Sequence, residues 1–164
     1  MKVFCRKFLS VQLAVIFSAL CWQAPRGEAQ VPELALIGTW KLNLAKSKYN
    51  SGPPPKIINI HTWWWDGDSL KHKVERVNEK GETVAVTGLW SAKYDAKDHL
   101  SGGAEDSRVS MKRIDAYTTE MTEGTPGRPL SIFRQVVSRD GKILTITRKT
   151  EGQDVVDVMV HDRQ

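Results

Sequence analysis

Four histidines, a run of three tryptophans and a few arginines are the residues through which this 164-residue chain could do chemistry. His61, His72, His99 and His161 invite a metal reading, because neutral imidazole is a common ligand. Their spacing does not support one: no pair forms His-x-His or His-Glu-x-x-His. His61 and His72 flank Asp66-Gly67-Asp68, a hairpin turn. A two-residue turn at Asp66-Gly67 would place them directly opposite each other. A three-residue turn would oppose Thr62 to His72 instead. The second register matches Trp64 to Leu70 and Ile60 to Val74, so apolar pairing favours it. It sets the two histidines on opposite faces, and no metal or cofactor is expected.

For acid–base chemistry, His72, Glu75 and Arg76 lie close on one strand, and His72 and Arg76 share a face with Leu70 and Val74. A polar residue on an apolar face lines a lumen or needs a buried partner. His72 and Arg76 could therefore orient an anionic or carbonyl-bearing ligand. Alternatively, Arg76 leaves at the barrel end and His72 is simply hydrogen-bonded. Arg113 follows Val109 and Met111 on its strand face, and Arg134 follows Leu130 and Ile132. Several inward arginines would suit a carboxylate. No segment resembles a nucleophile elbow, a phosphate loop or a catalytic triad, so no catalytic residue is assigned.

Trp63-Trp64-Trp65 cannot all face one side, because successive strand residues alternate. Placing Ile58, Ile60 and Trp64 inward sends Trp63 and Trp65 outward beside His61. On that reading Trp64 belongs to the core, while its neighbours cover a barrel end, rim a ligand site or dock a partner. Trp40 and Trp90 read as core.

The elements that must position these groups are strands. Short alternating stretches recur between Gly, Asp and Asn turns, with almost nothing of helical period. Strands are expected at residues 37–43, 56–65, 69–78, 82–90, 108–114, 117–122, 130–138, 142–150 and 155–161. Pro53-Pro54-Pro55 makes a stiff connection that cannot donate to a ladder. About eight to ten strands at roughly ten-residue spacing predict an all-β domain. Consecutive hairpins favour an up-and-down antiparallel barrel, whose closure removes exposed edges.

Residues 1–29 read as a secretory signal peptide. Lys2, Arg6 and Lys7 precede an apolar stretch over 8–21, too short for a membrane span. Gly27-Glu28-Ala29 then places small residues for cleavage before Gln30. The alternative is an uncleaved N-terminal anchor. Four of the 24 basic and one of the 19 acidic residues fall in this segment, so the formal charge drops from +5 to +2 without it. The basic balance thus belongs largely to the leader and gives no support for nucleic-acid binding. Cys5 and Cys21 also lie there, leaving residues 30–164 without a disulfide or thiolate site. That remaining length suffices for one core.

Gly38-Thr39-Trp40-Lys41-Leu42-Asn43, Lys46-Ser47-Lys48-Tyr49 and Gly52-Pro53-Pro54-Pro55-Lys56 carry a family likeness. So do Ala92-Lys93-Tyr94-Asp95, residues 109–115 and the ending Val160-His161-Asp162-Arg163-Gln164. Together they resemble a poorly characterised family of exported bacterial lipocalin-like (calycin-type) β-barrels. The resemblance implies the barrel and carries no agreed activity. It is also similar to true lipocalins in its Gly38-Thr39-Trp40. There a basic residue near the last strand packs over the tryptophan, a place that Arg148 or Arg163 could fill.

Three function classes follow. The first is an exported barrel, periplasmic or extracellular, that holds a small apolar or amphipathic ligand in its lumen or mouth. Trp63, Trp64, Trp65, His72, Arg76, Arg113 and Arg134 are its candidate contacts. The second is a small-molecule isomerase, cyclase or hydrolase on the same barrel, which fold analogy permits without supporting. The third is an interaction module that uses exposed tryptophans to bind an envelope protein partner. The first is favoured, and neither a nucleic-acid partner nor stable membrane insertion is expected.

Overall fold

The computed structural model describes residues 34–101 and 106–164, so the expected leader lies outside them. Among the described residues ten strands follow one another: β1 (Gly38–Leu42), β2 (Ile58–Asp66), β3 (Ser69–Val77), β4 (Thr83–Ala92), β5 (His99–Leu100), β6 (Arg108–Arg113), β7 (Thr118–Gly124), β8 (Ser131–Val137), β9 (Ile143–Thr150) and β10 (Val156–Arg163). All pairings are antiparallel, in the spatial order β4-β3-β2-β1-β10-β9-β8-β7-β6-β5. Pairing of β1 with β10 rolls the meander into a barrel, as its hairpin rhythm predicts. Among the described residues, the backbone link between the two ends of the sheet is a bridge between Trp90 and Ser101. The barrel is therefore nearly closed, with a seam between β4 and β5. Ten strands fall within the expected eight to ten; the one without an expected range is β5, whose two residues are too few to show a period.

Two hairpin details decide which side chains face inward. The β2–β3 register pairs Asp66 with Ser69, so the two turn residues are Gly67 and Asp68. Gly67 has φ +60°, at the position that type II′ hairpins reserve for glycine. This turn lies one residue beyond Asp66-Gly67 and is one residue shorter than the favoured three-residue turn, so neither expected register is correct. Farther on, Gly88 and Leu89 of β4 together face the single residue Lys73, a β-bulge between the Trp90–His72 and Thr87–Val74 pairs. Gly88 has φ +60°, and a Cβ there would stand 2.9 Å from Val74 Cγ2. The bulge reverses the alternation, so Trp90 and Ala92 are buried while Val84 and Val86 are exposed.

One end of the barrel is solidly packed. Leu34, Leu36, Trp40, Leu70, Ala92, Met111, Val137 and Leu144 form its core. Trp40 is fully buried, and its Nε1 donates to the Leu36 carbonyl at 2.9 Å. Arg163, from the last strand, lies 4.6 Å over the Trp40 ring and donates to the carbonyls of Ala35 and Ile37, both at 2.9 Å. Of the two expected partners for Trp40, Arg163 takes the place. Gly38 makes room for it: φ is +135°, and a Cβ would sit 3.4 Å from the guanidinium.

Candidate functional site

The other part of the lumen is not filled. A cavity of about 200 Å³ lies between β2, β3 and β4 on one side and β7 to β10 on the other. Its apolar wall comes from Trp63, Val74, Trp90, Met121, Phe133, Ile146 and Met159. Asn59, His61, His72, Glu123, Gln135 and Arg148 interrupt that wall with polar groups. The strand registers account for this set, since each pair brings two side chains to one face. Trp63 pairs with His72, His72 with Trp90, Gln135 with Ile146, and Ile146 with Met159.

The registers also reassign the tryptophans. Trp63 points inward and is 1% exposed, whereas Trp64 points outward at 37%. Trp65 shares the inner side with Trp63 but stands at the barrel rim, 42% exposed, edge-on to Tyr94 at 5.9 Å. The expectation that Trp64 is core and Trp63 outward is thus reversed. Its premise was that Ile58 and Ile60 mark the inner face. In this strand the inner face is Asn59, His61 and Trp63, and the isoleucines are half-buried on the outside. β-Branched residues suit a strand surface, and a cavity wall does not obey the apolar-inward rule.

His61 and His72 were expected on opposite faces, and the structure corrects this. Both face the lumen, with His61 Nδ1 and His72 Nε2 3.1 Å apart in a hydrogen bond. The rings form a stack with the indole: His61 lies 5.2 Å from Trp63, and Trp63 lies 4.5 Å from His72. His72 touches Trp90 at 4.8 Å, and His161 meets His61 edge-on at 5.0 Å. Burial pushes His72 down to about 3 and His161 down to about 4, each from an ordinary 6.5. Burial also pushes His61 well down, helped by the two neighbouring imidazoles. All three rings are neutral at pH 7. His99 lies elsewhere, bonded to Asp95 at 2.9 Å. Among the described residues no three His, Cys, Asp or Glu side chains converge in a way that could hold a metal ion.

At the cavity's rim, Arg148 forms an ion pair with Asp157, which is 1% exposed. Asp157 also accepts from the Asn50 N–H at 2.7 Å, the Ser51 N–H at 2.9 Å and Ser51 Oγ at 2.5 Å. Burial works to raise the Asp157 carboxyl, but these bonds and the Arg148 guanidinium hold it far below the usual range. The network ties the loop after β1 across this end of the barrel. Glu123, on β7, is raised by burial.

The four arginine and histidine candidates divide. His72 lines the cavity, whereas Arg76, Arg113 and Arg134 do not. Arg76 is exposed, in keeping with a side chain that leaves at the barrel end. Arg113 keeps the inner-face parity of Val109 and Met111, and its Nε donates to the Asp115 carbonyl at 3.4 Å. Arg134 is contradicted outright: Phe133, Gln135 and Val137 face inward, which turns Ile132 and Arg134 out to solvent. Both faces of β8 carry apolar residues, so alternation alone could not choose between them. The cavity residues not anticipated are Asn59, His61, Glu123, Gln135 and Arg148. Each is a single polar residue on an otherwise unremarkable strand, and only the registers bring them together.

No protein-family model matches this chain, and no curated protein sequence matches it either. Its backbone is similar to several solved barrels. One is a Schistosoma mansoni fatty acid binding protein in complex with arachidonic acid, at 14% identity and TM-score 0.58, covering 81% of this chain and 98% of that one. Another is the apo lipid binding protein 8 of Caenorhabditis elegans, at 12% identity and TM-score 0.59, covering 83% and 100%. A third is secretory abundant heat soluble protein 4 of Ramazzottius varieornatus, at 14% identity and TM-score 0.63, covering 83% and 99%. At these identities the likeness shows the fold alone: a nearly closed, lipocalin-like up-and-down barrel.

Proposed function

We propose that this protein binds a small apolar or amphipathic molecule in the lumen of its barrel. One observation carries the reading: a barrel packed solidly at one end keeps a cavity of about 200 Å³ at the other, walled by aromatic and aliphatic side chains with a few polar groups. Interiors are normally close-packed, and a void without an occupant forfeits dispersion contacts. The solved barrels of the same fold include one complexed with arachidonic acid, which agrees with such a role. We place the protein outside the cytoplasm, on the strength of the basic, apolar and small-residue pattern of residues 1–29. A bacterial origin within the lipocalin-like family rests on the resemblance of its opening and closing motifs.

Native against denaturing mass spectrometry of protein purified without detergent from an exporting host tests both parts. A mass excess that disappears on denaturation identifies the ligand, and an N-terminus at Gln30 reports export and cleavage. An apo mass, with no tryptophan quenching by any apolar probe, refutes the binding reading. A second reading has an observation of its own. Trp64, Leu89 and Leu100 form an exposed apolar groove of about 320 Å³ on the outer wall beside the seam, which would suit an envelope protein partner.

A further inference from the structure

We propose that the lumen selects an uncharged amphiphile, a short aliphatic or aryl molecule carrying a hydroxyl or carbonyl oxygen, over the corresponding carboxylate. This rests on the lumen reading above and names its ligand class.

The charges around the cavity carry the argument. Arg148 is the one cation among the described residues lining it. Its guanidinium is committed to Asp157 and reaches Ser51 Oγ at 3.1 Å. Asp157 is buried and also holds the backbone of Asn50 and Ser51, so drawing Arg148 away would strand a buried carboxylate. The opposing side of the same cavity presents Glu123. A ligand carboxylate would meet an already neutralised guanidinium and a like-charged or proton-sharing acid. Burying such an anion unpaired is far more costly than burying a neutral oxygen, which needs only a hydrogen bond.

Groups for that hydrogen bond stand farther in. The His61–His72 contact of 3.1 Å uses Nδ1 of His61. His61 Nε2 makes no hydrogen bond among the described residues. The Trp63 indole N–H is buried without a partner. An unpaired imidazole nitrogen and an unpaired indole donor, beside Trp90 and Phe133, offer a neutral oxygen one acceptor or donor at a time, within an apolar cage. A cavity of this size takes a small molecule: an engineered one of about 150 Å³ accepts benzene.

The test is a tryptophan-fluorescence titration of the full chain at pH 7.5 with octane, octan-1-ol, octanal and octanoate, checked by native mass spectrometry. Octanol and octanal should bind at least about tenfold more tightly than octanoate, a difference of ~1.4 kcal/mol. Glu123→Gln should narrow that gap by strengthening octanoate. Trp63→Phe keeps the ring, so it should weaken octanal by several-fold and leave octane unchanged. Octanoate binding as tightly as octanol would overturn the charge preference and leave the lumen reading standing. Failure of every probe, octane included, would overturn both.

Discussion

The buried histidines make a sharp statement about acid stability. An unfolded histidine titrates near 6.5, whereas His72 and His161 are held at about 3 and about 4 by burial. Between these values the unfolded chain binds protons that the folded one refuses, so stability falls as pH drops below 6.5. The loss keeps growing until the folded values are reached. At pH 5 the solution is about 1.5 units below the unfolded value of each group, and at ~1.36 kcal/mol per unit each costs ~2 kcal/mol relative to pH 8. Together they remove ~4 kcal/mol, a large part of the 5–15 kcal/mol typical of a domain. His61, depressed in the same direction, adds to this. Urea unfolding followed by tryptophan fluorescence at pH 8, 7, 6 and 5 reads the loss directly. His72→Phe keeps a ring between Trp63 and Trp90 but cannot titrate. Whatever it costs at pH 8, its further loss on going to pH 5 should be smaller than that of the parent by ~2 kcal/mol or more, because His61 also loses a neighbouring imidazole. Glu123 and Arg148, which share the cavity, are common to both proteins and cancel. Equal losses in parent and variant would refute the reasoning.

Other expectations are more local. Trp63→Ala should cost ~3–5 kcal/mol, as large buried truncations do, and Trp64→Ala well under half of that, by the same urea measurement. Arg163→Lys should lose ~2 kcal/mol, because an ammonium cannot stack flat on Trp40 and its shorter side chain stops short of the place from which Nη2 serves both the Ala35 and Ile37 carbonyls; Arg134→Ala should stay within ~0.5 kcal/mol. Gly88→Ala should cost ~1–3 kcal/mol, since its backbone is in the left-handed region and the new methyl would press on Val74 Cγ2, and the melting temperature should drop accordingly.

How much of this was legible in the residues differs between the fold and the site. The strand run from β1 to β10 follows from period-two alternation and Gly, Asp and Asn turns, which are local properties of the chain. The strand limits agree to within a residue or two. The partnership of Trp40 with a basic residue near the end was narrowed to Arg148 or Arg163 by the Gly38-Thr39-Trp40 resemblance. Choosing between them needed the closure of β1 on β10, which sets Trp40 opposite Arg163.

The site was less legible because a face assignment turns on single residues. Shifting the β2–β3 turn by one residue moved His61 and His72 onto one face, against the expectation from pairing Trp64 with Leu70. The bulge at Gly88 did the same to β4. Arg134 was misplaced because Leu130 and Ile132 supply an apolar row that faces solvent. What the sequence determined by itself was an all-β meander and the order of its hairpins, since propensity, alternation and turn chemistry act over a few neighbours. Closure of the barrel settled which rows face inward, and that the inward rows leave a partly polar cavity. Those outcomes depend on register and closure between strands far apart in the chain, and a one-residue slip in register exchanges the two faces of a strand.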